Sequence, residues 1–205
     1  MPKVTNIALA GVGGQGIILA GNLLAQAAAL SGYDVKLAEV HGMAQRGGSV
    51  ITQVRFGEKV YSPTFGKGSA DYLVAFERLE ALRHQDILAD DGVLLLSDTI
   101  IQPITTATGS APYPRDILDR LKKKCPRFYS FSAEYKAEKL GNPKVANVLM
   151  LGVLSIFLEE ILEAVWEEAL ELVVPPKHLE LNRLAFAEGR ALGNQLAHSQ
   201  KVNSN

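Results

Sequence analysis

Asn6-Ile7-Ala8-Leu9-Ala10-Gly11-Val12-Gly13-Gly14-Gln15-Gly16-Ile17 decides how the rest of the 205-residue chain is read. A short apolar run stops abruptly in glycines, and residues 17–30 then carry strong helix formers with almost no charge, so the stretch reads as strand, tight loop and helix. The glycines fit G-x-G-x-x-G in the context that gives this pattern weight, directly after a strand and opening a helix. Without β-carbons at Gly11, Gly13 and Gly14 the backbone can turn tightly and approach an anion, whose charge is then met by N–H groups at the start of the helix; Gln15 and Gly16 complete the candidate site. The same glycines are also compatible with a simpler role, close packing of helix on strand. Gln15, Asn22 and Gln26 share one narrow stripe, which leaves most of the helix apolar, as in a helix packed on a sheet.

Working outward, Ser31-Gly32 closes the helix, and residues 34–40 alternate as a second strand, expected parallel to the first through a right-handed crossover. Residues 49–56 show β-branched alternation, Gly57-Glu58 signals a turn, and 59–62 are expected to pair back as a hairpin, adding an antiparallel piece to the sheet. Strands follow at 70–76, 93–97 and 127–132, with a helix over 77–88, a turn at Asp90-Asp91-Gly92, a Thr/Ser/Gly/Pro-rich loop at 103–114 and a short basic helix at 115–124. Beyond 133 the pattern is helical: 133–140, a break at Gly141-Asn142-Pro143, one long helix from 144 to 172, and a final helix over 179–196. In the long helix Glu159, Glu160, Glu163, Glu167, Glu168 and Glu171 take the solvent side, with Leu158, Ile161, Leu162, Val165, Ala169 and Leu172 on the core side. The apolar run 145–158, interrupted by Asn147 and Ser155, is too short to span a bilayer. Strands alternating with helices predict a Rossmann-like, doubly wound α/β fold with a mostly parallel sheet and a helical C-terminal segment. Residues 1–198 are expected as one domain and 199–205 as a disordered tail.

Charge and cysteine usage narrow the function. Twenty-one basic against 22 acidic residues leave no surplus to neutralise nucleic-acid phosphates or an anionic membrane, so neither partner is expected. One cysteine, Cys125, excludes an internal disulfide, and because an iron-sulfur cluster normally takes four thiolates, any such centre belongs to another chain. Met1-Pro2-Lys3-Val4 runs into strand-like sequence without signal-peptide features, which predicts a cytoplasmic protein. His84, His178 and His198 lack metal-ligand spacing, no metal site is indicated, and there is no nucleophile elbow or Walker lysine. No catalytic residue is assigned; the chain alone reads as catalytically incomplete.

A second loop carries the other candidate site: His41-Gly42-Met43-Ala44-Gln45-Arg46-Gly47-Gly48-Ser49. The forked cation of Arg46, the Gly47-Gly48 pair and the Ser49 hydroxyl suit a carboxylate or phosphate held against closely approaching backbone. His41 and Gln45 are candidate active-site contacts, although a lone loop histidine without a visible partner is more often structural. Glu39, 23 residues beyond Gly16, keeps a free-standing NAD(P)-dependent dehydrogenase open as an alternative, since dinucleotide-binding domains place an acid there for the ribose. A non-catalytic nucleotide-binding sensor is the third reading.

With both loops in view the sequence resembles the gamma-type subunit or domain of the 2-oxoacid:ferredoxin oxidoreductases, which act on pyruvate, ketoisovalerate, 2-oxoglutarate and indolepyruvate. The markers are Gly11-Val12-Gly13-Gly14-Gln15-Gly16, the Arg46-Gly47-Gly48 loop, the strand at 70–76, and Gly141-Asn142-Pro143-Lys144-Val145-Ala146-Asn147. The wording Glu39-Val40-His41-Gly42-Met43-Ala44-Gln45-Arg46-Gly47-Gly48-Ser49-Val50 is most similar to the beta subunit of the indolepyruvate branch; many other members carry a Pro-Glu-Met-Arg type of loop, from which Ala44-Gln45 departs. The resemblance implies that this chain binds no cofactor tightly. Partner chains would hold thiamine diphosphate, magnesium and the iron-sulfur clusters, while this subunit closes over the active site, helps accommodate coenzyme A as co-substrate, and reaches ferredoxin only through the complex. An isolated copy would pair with itself through surfaces normally covered.

Overall fold

Val4–Val12 (β1) is apolar on both faces: Ile7 and Leu9 enter one core, Ala8 and Ala10 the other, and all four are fully buried. A strand covered on both sides belongs inside a sheet with helices above and below. The computed structural model, which describes residues 3–41 and 47–203, places β1 so. The further elements are α1 (Ile17–Leu30), β2 (Asp34–His41), β3 (Ser49–Gly57), β4 (Ala70–Ala75), α2 (Arg78–His84), β5 (Leu88–Ser97), α3 (Ile104–Ala107), α4 (Ile117–Lys124), β6 (Arg127–Phe131), α5 (Ala133–Lys139), α6 (Ala146–Ser155), α7 (Glu163–Val173) and α8 (Pro176–Asn203), with 3-10 turns at Gln85–Ile87 and Pro143–Val145.

The sheet runs β2-β3-β1-β4-β5-β6, with β1, β4, β5 and β6 parallel and β3 antiparallel to both its neighbours. This is the expected mostly parallel α/β fold. As expected, β2 runs parallel to β1, but one strand removed, because β3 lies between them. Burial explains the order, because Val50, Val54 and Phe56 of β3 are enclosed, whereas β2 is partly exposed along its length and carries Lys36 and Glu39, suiting an edge. Residues 59–62 form no hairpin; instead Val60 N donates to Asp34 Oδ2 (3.0 Å) at the start of β2. Asp90-Asp91-Gly92 does not separate helix from strand, since pairing with β4 jumps from Ala70↔Leu88 to Tyr72↔Val93 and the acidic pair bulges out within β5.

Helices α1, α5, α6, α7 and α8 cover one face and α2 and α4 the other, where Ile117, Leu121 and the buried Cys125 close the second core. Burial pushes the Cys125 thiol above its ordinary range, away from reactivity. The expected single helix from 144 to 172 is two helices. Residues Asn147 to Ser155 of α6 are all buried; the chain then turns, with Tyr72 OH donating to Phe157 O (2.8 Å), two residues beyond the end of α6. In α7 the buried stripe is Trp166, Ala169 and Leu170, so Leu162 and Leu172, expected inside, are 70% and 62% exposed. At the crossing of α6 and α8 the backbones touch: a Cβ on Gly189 would lie 2.1 Å from Leu149 O, and one on Gly152 would lie 2.2 Å from Phe186 O. Helix α8 continues past 196 into the stretch expected as a tail, where Ser199 Oγ donates back to Gln195 O (2.7 Å) and Leu196 O (3.1 Å).

Candidate functional site

The carboxyl edge of the parallel strands is where β1 leaves the sheet and where the antiparallel β3 enters it, so the two glycine loops are neighbours. Gly13 N donates to Gly48 O (2.8 Å) and Gly47 N to Gly13 O (3.2 Å), zipping one loop to the other. Gly14 (φ 110°), Gly16 (φ 76°) and Gly47 (φ 75°) adopt left-handed backbone that glycine alone takes without strain. Gly11 is needed for space, because a Cβ there would meet Ile17 Cδ1 at 2.6 Å and Phe76 Cβ at 3.1 Å. The N–H groups of Ile17, Ile18 and Leu19 precede the first intrahelical bond, Ala20 N to Gly16 O, and so face out of the positive end of α1.

Gln15 does something other than offer its amide to a ligand. Its Oε1 accepts from Val12 N (2.8 Å) and its Nε2 donates to Phe76 O (2.9 Å), so it locks the loop to the end of β4. Ser49 is also engaged by the protein: its hydroxyl donates in a short bond to Glu80 Oε2 and lies 3.3 Å from His84 Nε2. Glu80 is buried; desolvation alone would raise its pKa, but hydrogen bonds from His84 and Ser49 and the charge of Arg83 outweigh it and hold the group below the ordinary glutamate range. Gln45, Arg46 and the His41 side chain lie outside the described residues, while Gly48 is placed by its bond to Gly13.

Beside the first loop opens a cleft of about 350 Å³, walled by Gly14 to Gly16, Phe76, Thr99 and, from the 3-10 turn and the start of α6, Pro143, Lys144, Ala146 and Asn147. Lys144 and Glu134 contribute one charge of each sign to its lining. Asn147 is 3% exposed and bonded at both ends, with Nδ2 donating to Gly16 O (3.2 Å) and Oδ1 accepting from Val148 N (2.9 Å). It fits because Gly16 has no side chain: a Cβ there would lie 2.4 Å from Asn147 Nδ2. The sequence marks Lys144 and Asn147 only as part of the Gly141-to-Asn147 family segment and, for Asn147, as a polar interruption of an apolar helix, with no site role attached.

Glu39 is exposed on β2, and because β3 separates β2 from β1 it stands two strand spacings, about 10 Å, from the strand that feeds the glycine loop. A dinucleotide-binding acid sits on the adjacent strand, so the geometry does not support the ribose contact. Among the described residues no group of three His, Cys, Asp or Glu could hold a metal ion, and no helix is long and apolar enough to cross a membrane.

A family model described as pyruvate ferredoxin/flavodoxin oxidoreductase matches residues 6–192. Over 198 residues the chain is 42% identical to the indolepyruvate oxidoreductase subunit IorB of Thermococcus kodakarensis, covering 91% of this chain and 95% of that protein. Among solved structures it is similar to the gamma subunit of a keto/oxoacid ferredoxin oxidoreductase from Geobacter sulfurreducens, with a TM-score of 0.71 and 25% identity, covering 93% of this chain and 99% of that one. The fold also matches, with a TM-score of 0.73 and 24% identity, a 2-oxoglutarate:ferredoxin oxidoreductase from Magnetococcus marinus solved with 2-oxoglutarate, coenzyme A and succinyl-CoA; 94% of this chain corresponds to 31% of that longer chain.

Proposed function

This chain belongs to the pyruvate ferredoxin/flavodoxin oxidoreductase family, and from that premise we propose that it is the small subunit of a cytoplasmic 2-oxoacid:ferredoxin oxidoreductase acting on an aryl oxoacid such as indolepyruvate. The reaction is oxidative decarboxylation of the oxoacid to an acyl-CoA, with electrons leaving through ferredoxin. One cysteine cannot ligate a four-thiolate cluster, so iron-sulfur centres belong to partner chains, and the family resemblance assigns thiamine diphosphate and magnesium to those chains as well. Thiamine diphosphate supplies the carbanion chemistry of decarboxylation there.

The observation that carries the reading is the zipped pair of glycine loops at the cleft. Gly14 and Gly16 let backbone approach an anion, the α1 N–H groups meet its charge, and Lys144 adds a cation at the rim, a donor set that fits the phosphates of coenzyme A. From the adjoining loop Gly47 and Gly48 bring backbone to the same edge, and the sequence adds Arg46, His41 and Gln45 as candidate contacts, while the Ser49 hydroxyl is taken by Glu80. A cleft of about 350 Å³ is at the small end for a ligand site and takes part of so large a molecule, which suits a site completed by a second chain. Ile18, Val40, Ile100 and Ile104 are exposed around the same edge, an apolar rim fit to be covered by the partner subunit, or by a second copy when the chain is isolated. The residues of this chain bind, orient and exclude water, and none transfers a proton.

The test uses the complex reconstituted with its thiamine-bearing partner. Arg46→Ala and Lys144→Ala should each raise the KM for coenzyme A while ferredoxin reduction remains dependent on the oxoacid. Unchanged coenzyme A and oxoacid affinities and turnover in both variants would overturn the assignment, as would nicotinamide-dependent oxidation by the isolated chain.

A further inference from the structure

Helix α2 begins with two buried carboxylates that the reaction does not use. Glu77 is fully buried and 4% of Glu80 is exposed. Glu77 Oε2 accepts from Glu80 N (3.0 Å), capping its own helix, while Oε1 accepts from Ile101 N (3.2 Å) and Tyr113 OH (3.1 Å), the two ends of the long loop after β5. Glu80 Oε2 accepts from Ser49 Oγ, where the second glycine loop enters β3, and Oε1 accepts from Arg83 Nε (3.2 Å). Between the carboxylates Arg78 N donates to Thr99 O (3.0 Å), and just before them Phe76 O holds Gln15 Nε2 (2.9 Å). Residues 76–80 therefore grip, in turn, the first glycine loop, the loop after β5 and the second glycine loop.

Buried charges are expensive to desolvate, and a helix is capped as well by serine or aspartate, so neither carboxylate is needed merely to start α2. What only these side chains do is reach outward to separate loops. We propose that Glu77 and Glu80 are positioning residues that fix the spacing of the three loops around the cleft, Glu80 through the Ser49 hydroxyl and Glu77 through Ile101 and Tyr113. The clamp itself rests on this geometry; its consequence for coenzyme A rests on the functional reading above.

Amide hydrogen exchange in the full chain, paired with kinetics of the assembled complex, tests both. Ser49→Ala and Glu80→Gln should speed exchange of the Gly13 and Gly47 amides about tenfold, as loss of a charge-assisted bond implies, and leave the Ile101 amide unchanged. Tyr113→Phe should do the reverse, and Ser49→Thr, which keeps the hydroxyl, should restore slow exchange at the glycines. In the complex Glu80→Gln, at a residue outside the anion site, should raise the KM for coenzyme A about tenfold with kcat within about twofold, a split that general loss of stability would not give. Exchange at Gly13 and Gly47 that matches the parent in both Ser49→Ala and Glu80→Gln overturns the clamp. Faster exchange with an unaltered KM upholds the clamp and removes coenzyme A from this edge.

Discussion

Gly189→Ala probes the contact that holds the C-terminal helices to the rest of the molecule. The new Cβ would sit 2.1 Å from Leu149 O and 3.0 Å from Gly152 Cα, and since both are main-chain atoms no rotamer change relieves the clash. Reaching ordinary contact requires roughly 1.3 Å of separation between α6 and α8, and overpacking of this kind costs about 3 kcal/mol or somewhat more when backbone must move. Replacing glycine in a helix interior offsets about 1 kcal/mol through propensity, leaving a net loss of about 2–3 kcal/mol. For a chain of this length that lowers the Tm by about 4–12 °C, readable by thermal melts followed at 222 nm. Gly193→Ala, whose nearest contacts are longer, Ile156 Cγ1 at 2.8 Å and Val153 O at 3.0 Å, should lose less. A Gly189→Ala protein melting at or above the parent temperature would show that the two helices do not meet backbone to backbone.

Other outcomes follow from single contacts. Gly16→Ala places a Cβ 2.4 Å from Asn147 Nδ2 at a φ of 76° and should lose about 1–3 kcal/mol in denaturant melts; adding Asn147→Ala should recover the steric part, so the double-mutant cycle is non-additive. The Asp34 carboxyl is held at about 2, chiefly by the Val60 N–H and then by Lys36, so its stabilisation is present above the unfolded value of 3.8 and is lost as pH falls towards 2. Asp34→Asn should therefore flatten the fall in Tm across that acid window, and an unchanged slope would contradict the pairing. Burial pushes the Tyr72 phenol up to about 12, so Tyr72→Phe should leave the ultraviolet titration below pH 11 unaltered while costing about 1–2 kcal/mol of stability through the orphaned Phe157 carbonyl.

The class of fold and the location of the first loop were legible because they depend on local rules: an apolar run, glycines where φ must be positive, and helix formers after them. Strand order was not. Whether β2 or β3 lies beside β1 depends on which strand can bury both faces, and that becomes visible only when Val50, Val54 and Phe56 are set against the charged positions of β2. The break between α6 and α7 was missed for a similar reason, since the glutamates and leucines of 158–172 continue a helical period across a turn that only the finite width of the core imposes. At the site, glycine spacing pointed to backbone, whereas Gln15, Ser49 and Asn147 were readable as ligand groups or as nothing. Their real partners are Phe76, Glu80 and Gly16, far apart in sequence and joined by topology.

The interposed β3 also sets the order in which the protein can be made. In the finished sheet β1 and β2 are joined only through β3, so a chain that ends at residue 41 lacks the strand to which both of their facing edges bond. An N-terminal fragment ending before Ser49 should accordingly stay unstructured, and extension through Gly57 should be the earliest length at which the nascent sheet closes.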